Sequence, residues 1–141
     1  MKRFILEKLQ KWKDSPRRKP LILKGARQVG KTWLMQEFGK REYSNYVYVN
    51  FDREAWAKNL FEYDYDIARI LLRLQAQKNI HIVPGETLII FDELQEAVRG
   101  LGVLKYFQEE APEQHVIVAG SLLGITLHQG ESFPVGKVDV M

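Results

Sequence analysis

The sequence predicts an α/β fold, a three-layer sandwich with a mostly parallel sheet at its centre. Three observations carry that prediction. Apolar, β-rich runs near residues 21–24, 46–50, 87–91 and 115–119 alternate with segments of helical spacing. One of them, Leu88-Ile89-Ile90-Phe91, is unbroken, as expected of a parallel strand covered on both faces. The first run passes through a glycine-containing loop into a helix-spaced segment, the order strand, loop, helix. In such a sheet a ligand sits at the carboxyl ends of the strands.

Length and composition fit one domain. At 141 residues, 45% hydrophobic and 28% charged, the chain has the size and balance of a soluble globular unit. No apolar run approaches the roughly eighteen residues of a membrane-spanning helix, so no membrane partner is expected. Met1-Lys2-Arg3-Phe4-Ile5-Leu6-Glu7 is too charged for a secretory signal. Cysteine is absent, which excludes disulfides and thiolate metal sites and makes a cytoplasmic location the expectation.

A basic helix opens the chain. Residues 1–20 carry a net charge of +6 and the remainder −3. Ile5, Leu9 and Trp12 share one face between Lys2 and about Lys13, with Phe4 and Leu6 near it. The plain reading is a helix packed on the core with its lysines in solvent. The sharper one is a patch for nucleic acid or another acidic partner. Residues 1–19 are thus expected to form a basic N-terminal helix and connector, and 20–141 the core.

Pro20-Leu21-Ile22-Leu23 follows as a buried strand. It leads into Gly25-Ala26-Arg27-Gln28-Val29-Gly30-Lys31-Thr32, which fits G-x-x-x-x-G-K-[ST], the phosphate-binding loop of nucleotide hydrolases and kinases. Gly25 and Gly30 are expected to let the backbone turn tightly, so that its N–H groups cradle phosphate oxygens at a helix N-terminus. Lys31 places a compact charge at the β and γ phosphates, and Thr32 offers its hydroxyl to Mg²⁺. The expected nucleotide-contacting set is Gly25 to Thr32 together with Trp33. Leu34, Met35 and Phe38 then recur at helical spacing, with Gly39 as the expected stop.

Tyr46-Val47-Tyr48-Val49-Asn50 alternates and forms the second strand. Asn50 and Asp52 fall at its ligand-facing end, where polar residues are usually only caps. Asp66 is the N-cap of an amphipathic helix through Ile67, Ile70, Leu71 and Leu74. Tyr63 and Tyr65 are expected to pack or lie on the surface. Pro84-Gly85-Glu86 turns into the strand that ends in Asp92-Glu93. Two acids closing a strand are common. Behind a phosphate loop, however, Asp92 is expected to hold hydrated Mg²⁺ and Glu93 to orient and deprotonate the attacking water. Val103, Leu104, Phe107 and Ala111 give another helix. His115-Val116-Ile117-Val118-Ala119 is the fourth strand, ending in Gly120-Ser121. Ser121 is either a reader of the γ phosphate or a turn residue. His81, His115 and His128 have no metal-ligand spacing.

Together these residues resemble a group of prokaryotic AAA-type (AAA+ superfamily) P-loop ATPases. The likeness rests on residues 19–32, on Ile90-Phe91-Asp92-Glu93-Leu94-Gln95, on Leu104-Lys105-Tyr106-Phe107 and on Ala119-Gly120-Ser121-Leu122-Leu123-Gly124, and runs from about Arg18 to Val138. The Arg-Gln inside the loop and the Gln after the Asp-Glu pair make it more specific than the loop motif alone. The resemblance implies a P-loop NTPase sheet and ATP as the nucleotide. It matches Lys31 and Thr32 to the phosphate and magnesium residues, Asp92 and Glu93 to the metal and base residues, and Ser121 to the γ-phosphate sensor. It also implies a fifth core strand, further catalytic residues and a C-terminal domain of poorly known function, all expected beyond Met141. The chain is therefore expected to be an N-terminal core, incomplete at its C-terminus, with four of five strands. Its strand edge near Leu21-Ile22-Leu23 would then be exposed and prone to self-association. A Gly-Arg pair common in the family is Gly136-Lys137 here. Lysine cannot fork across two oxygens as arginine does, so binding without brisk turnover is expected.

The function expected is binding of Mg·ATP and its hydrolysis to ADP and phosphate. The alternatives are a nucleotide-binding switch or scaffold with little turnover, and a small-molecule P-loop kinase, against which the water-activating Glu93 speaks. A homo-oligomer, DNA, a protein client and a toxin-like partner all stay open.

Overall fold

The computed structural model describes residues 2–24, 29–120 and 136–141. Its elements in chain order are α1 (Lys2–Asp14), β1 (Leu21–Leu23), α2 (Val29–Glu42), β2 (Asn45–Asn50), α3 (Ile67–Lys78), β3 (Thr87–Asp92), α4 (Val103–Glu110), β4 (His115–Ala119) and β5 (Asp139–Val140). The strands form one sheet in the order β2-β3-β4-β1-β5, and every neighbouring pair is parallel. Only β4 separates β1 from β3. The segment leaving β1 and the tip of β3 therefore open on the same carboxyl edge.

Strand alternation sorts the side chains into two cores. Leu21, Leu23, Leu88, Ile90, Ile117 and Ala119 face α1 and α2, meeting Leu9, Trp12, Met35 and Phe38. Ile22, Val47, Val49, Ile89, Phe91, Val116 and Val118 face α3 and α4, meeting Ile70, Leu74, Leu104 and Phe107. The predicted three-layer sandwich is the observed one. On the second face Phe91 is the hub of an aromatic cluster, edge-on to Phe51, Phe61 and Phe107 at centroid distances of 5.3, 5.9 and 6.0 Å. Such pairs add directional attraction to their buried area, and they fix the backbone one residue before Asp92.

Local signals place the other elements. Asp66 caps α3 by accepting from the Arg69 amide, and Asn79 closes the helix in the left-handed region. Tyr65 stacks on Tyr106 at 4.9 Å, whereas Tyr63 lies on the surface. Leu9 and Trp12 seat α1 on the sheet, and the Trp12 indole donates to the Lys19 carbonyl at 2.8 Å.

Two expectations are corrected. Gly39 does not stop α2, which continues to Glu42. A Cβ at Gly39 would come within 2.9 Å of the Tyr46 Cβ. The glycine serves the close approach of α2 to β2, and a helix tolerates it where packing requires it. The fifth strand is also present, formed by Asp139–Val140, and it covers the edge of β1 expected to be bare. Asp139 N donates to Pro20 O at 2.8 Å, Met141 N to Ile22 O at 2.9 Å, and Lys24 N to Met141 O at 3.0 Å. Self-association through that edge loses its structural basis. Two residues, one of them acidic, are too short a run to register as a strand by pattern.

At the opposite end of the sheet, Tyr43 Oη lies 2.6 Å from His115 Nδ1 in a pocket closed by Trp12 and Phe38. Burial, with Arg18 and Lys13 nearby, lowers the His115 pKa from 6.5 to about 4. Burial likewise pushes the Tyr43 phenol up, so the phenol donates and the neutral ring accepts. Unfolded chains take up a proton near pH 6.5 that the folded ring refuses until about pH 4. Stability should therefore fall as pH drops through that window, by on the order of 2 kcal/mol from this residue. Chemical denaturation across it should give a steeper pH slope for the wild type than for His115→Gln. Equal slopes would contradict this.

Candidate functional site

Asp92 ends β3, a strand buried along its whole length, and is itself only 5% exposed. A polar group so placed is tolerated when donors reach it. Two do, both at Oδ2. Thr32 Oγ1 donates at 2.7 Å from the first turns of α2, and Tyr48 Oη donates at 2.7 Å from β2. Oδ1 has no hydrogen-bond partner among the described residues. Burial, followed by the bond to Asp92, raises the Tyr48 pKa to about 12 and keeps the phenol a donor. Asn50 Nδ2 donates to the same phenol at 3.4 Å, while Asn50 Oδ1 accepts from the amides of Asp52 and Arg53. Asn50 is thus a cap, as predicted. The Phe51 amide donates to the Asp92 carbonyl at 3.0 Å and ties the strand tip to the turn after β2.

Lys31 precedes Thr32 on α2. Its Nζ is buried and has no hydrogen-bond partner among the described residues. An ammonium withdrawn from water without an acceptor is costly, so this position fits an anion that the described residues do not supply. Gly30 tells the same story by another route. It was expected to allow a tight turn, yet it lies in the first turn of α2 without a positive φ. A Cβ there would meet nothing within 4 Å. Neither backbone strain nor packing by the described residues asks for glycine. The open space lies beside the helix N-terminus, whose first N–H groups have no intrahelical acceptor.

These groups fit phosphate and a hard divalent cation. Thr32 gives its only proton to Asp92, which leaves the hydroxyl lone pairs for a cation. Mg²⁺ takes oxygen ligands, commonly one or two carboxylates plus phosphate and water. No cluster of three or more His, Asp or Glu among the described residues offers an all-protein cage.

Glu93 follows in the left-handed region, at φ 55. Its Oε1 accepts from Gln95 Nε2 at 2.7 Å. Trp33, 44% exposed, lines a surface groove with Leu6 and Gln10 of α1. Lys137 pairs with Glu109 on α4 at 3.3 Å. Gly25, Ala26, Arg27, Gln28 and Ser121 lie outside the described residues, as does the side chain of Val29. Among the described residues, His81 and His115 join no cluster of three or more metal-binding side chains, and His128 lies outside those residues.

The structure adds Tyr48 to the residues expected from sequence. Its signal was the period of β2: Tyr46, Tyr48 and Asn50 share the α2 face, and Asn50 pairs in register with Asp92. A tyrosine two residues before a strand end can reach along the sheet to its neighbour's tip.

Fold and edge together define a P-loop nucleotide-binding domain. A sequence profile for AAA domains matches residues 17–141, and the chain belongs to that family. The fold is similar to that of the Walker-type ATPase PABY2304 of Pyrococcus abyssi, with a TM-score of 0.54 and 19% identity. That match covers 99% of this chain and 50% of the other, so the chain spans about half the length of that structure. No curated protein matches.

A buried ammonium kept for a ligand should weaken the ligand-free protein. Lys31→Met should raise the stability of the nucleotide-free chain by about 1 kcal/mol. A lower melting temperature than wild type in nucleotide-free buffer would show that Lys31 serves the fold itself.

Proposed function

We propose that this chain binds Mg·ATP at the carboxyl edge of its sheet and hydrolyses it to ADP and phosphate. The observation that carries the reading is the Thr32–Asp92 hydrogen bond at 2.7 Å, directly after a lysine whose buried Nζ lacks a partner among the described residues. Residues 25–30 supply backbone N–H groups to the phosphates, by the loop pattern and the start of α2. Lys31 holds the β and γ phosphates. Thr32 and Asp92 would hold Mg²⁺. Bound Mg²⁺ offsets the charge on the transferring phosphoryl oxygens. Glu93 orients the attacking water and takes its proton. Trp33 lies along the nucleotide, and Ser121 reads the γ phosphate. A cytoplasmic site of action, self-assembly and a nucleic-acid or protein client belong to the same proposal. No helix among the described residues is long and apolar enough to cross a membrane.

One observation favours slow turnover as a second reading. Lys137, where the family resemblance places an arginine, is held in an ion pair with Glu109. A missing arginine finger is worth on the order of 10³–10⁵ in rate. The chain then acts as a nucleotide switch.

Calorimetry with Mg·ATP tests binding. Lys31→Ala should lose roughly a hundredfold in affinity, the scale of a charge-assisted contact made more than once. Equal affinity would sink the proposal. Phosphate release tests the base: Glu93→Gln should bind as wild type and turn over roughly a hundredfold more slowly. Unchanged turnover would move the base elsewhere. Wild-type phosphate release no faster than the protein-free background, with tight binding, would favour the switch.

A further inference from the structure

Tyr48 lies outside the loop and the acid pair, yet among the described residues it makes one of the two hydrogen bonds to the Asp92 carboxylate. Both bonds end on the same oxygen. Oδ2 receives the Thr32 hydroxyl and the Tyr48 phenol, each at 2.7 Å. A carboxylate held by one donor can turn about its Cβ–Cγ bond and present either oxygen. Two donors arriving from different elements, α2 and β2, make the oxygens inequivalent. The phenol is itself aimed: Asn50 Nδ2 approaches its oxygen at 3.4 Å, which leaves its proton for Asp92. Parallel pairing sets Tyr48 opposite Ile90 and Asn50 opposite Asp92, so the phenol reaches diagonally along β3 to the tip.

We propose that Tyr48 is a positioning residue for the divalent cation, holding Asp92 by Oδ2 so that Oδ1 is the oxygen offered to the metal's water shell. The inference rests on the Mg·nucleotide reading above. The alternative is that Tyr48 only satisfies a buried carboxylate. The two differ in what the hydroxyl controls. A purely structural bond affects stability and leaves the metal response alone. A positioning bond affects the metal response, and more for Mg²⁺ than for Ca²⁺, because Mg²⁺ demands near-octahedral geometry while Ca²⁺ accepts irregular oxygen sets.

Tyr48→Phe removes the hydroxyl and keeps the ring. Binding of a fluorescent ADP to the 141-residue chain is followed in EDTA, then in rising Mg²⁺ and in rising Ca²⁺, with thermal melts as a check on folding. Tyr48→Phe should bind ADP in EDTA as wild type does. Its half-saturating Mg²⁺ should rise about tenfold, the scale for outer groups that orient a metal ligand. The Ca²⁺ midpoint should move less. A Tyr48→Phe Mg²⁺ curve that overlays the wild type overturns the role given to Tyr48. So does an equal loss with Mg²⁺, Ca²⁺ and EDTA, which marks a general packing defect. A wild-type protein whose ADP binding ignores Mg²⁺ overturns the parent reading, and this one with it. That result is distinct, because it appears before any variant is made.

Discussion

The ligand edge of this domain is organised by one constraint: a carboxylate at the tip of a fully buried strand must be met by donors. Asp92 cannot look to bulk water for them, being 5% exposed. Its donors come from α2 and β2, elements far apart in sequence. Thr32 and Asp92 are separated by 60 positions and Tyr48 and Asp92 by 44. Satisfying this group brings the end of β1's connection, the second strand and the third into a fixed relation. The same fixed relation is what a metal and a phosphate need.

The scaffold beneath makes the relation rigid. Phe91 is locked among Phe51, Phe61 and Phe107 on one face. On the other, Gly39 lets α2 close onto β2 at Tyr46. A side chain there would push the helix off the strand, and Thr32 sits two turns earlier on that helix. Packing on both faces of the sheet thus acts on the position of a single hydroxyl. The covering of β1 by β5 secures the remaining side. Backbone bonds from Asp139 and Met141 hold the strand that launches the phosphate loop.

Much of this was legible in the sequence. Unbroken apolar runs gave the buried strands, alternation gave β2, and Asp66 marked the start of α3. The loop pattern together with a strand ending in Asp-Glu pointed to the carboxyl edge, where Thr32 meets Asp92. What was hidden has physical reasons. Gly39 has the look of a stop, because its actual cause, a close approach to Tyr46, is a tertiary contact with no local trace. Gly30 suggests a turn although the helix already includes it. β5 is too short for a periodic signal. Tyr48 resembles a packing residue until register places it beside the tip of β3. Glycines and single polar residues carry their meaning in the partner they meet, and that partner is fixed only by the fold.

The central claim is that Asp92 serves a divalent cation rather than the fold alone. The most direct measurement is the ratio of nucleotide affinities with and without Mg²⁺, by calorimetry, for the wild type and for Asp92→Asn, which keeps the side chain's shape and an acceptor for Thr32. The account predicts tighter binding with Mg²⁺ in the wild type and a ratio near one in Asp92→Asn, with affinity in EDTA little changed. A ratio preserved in Asp92→Asn would contradict it.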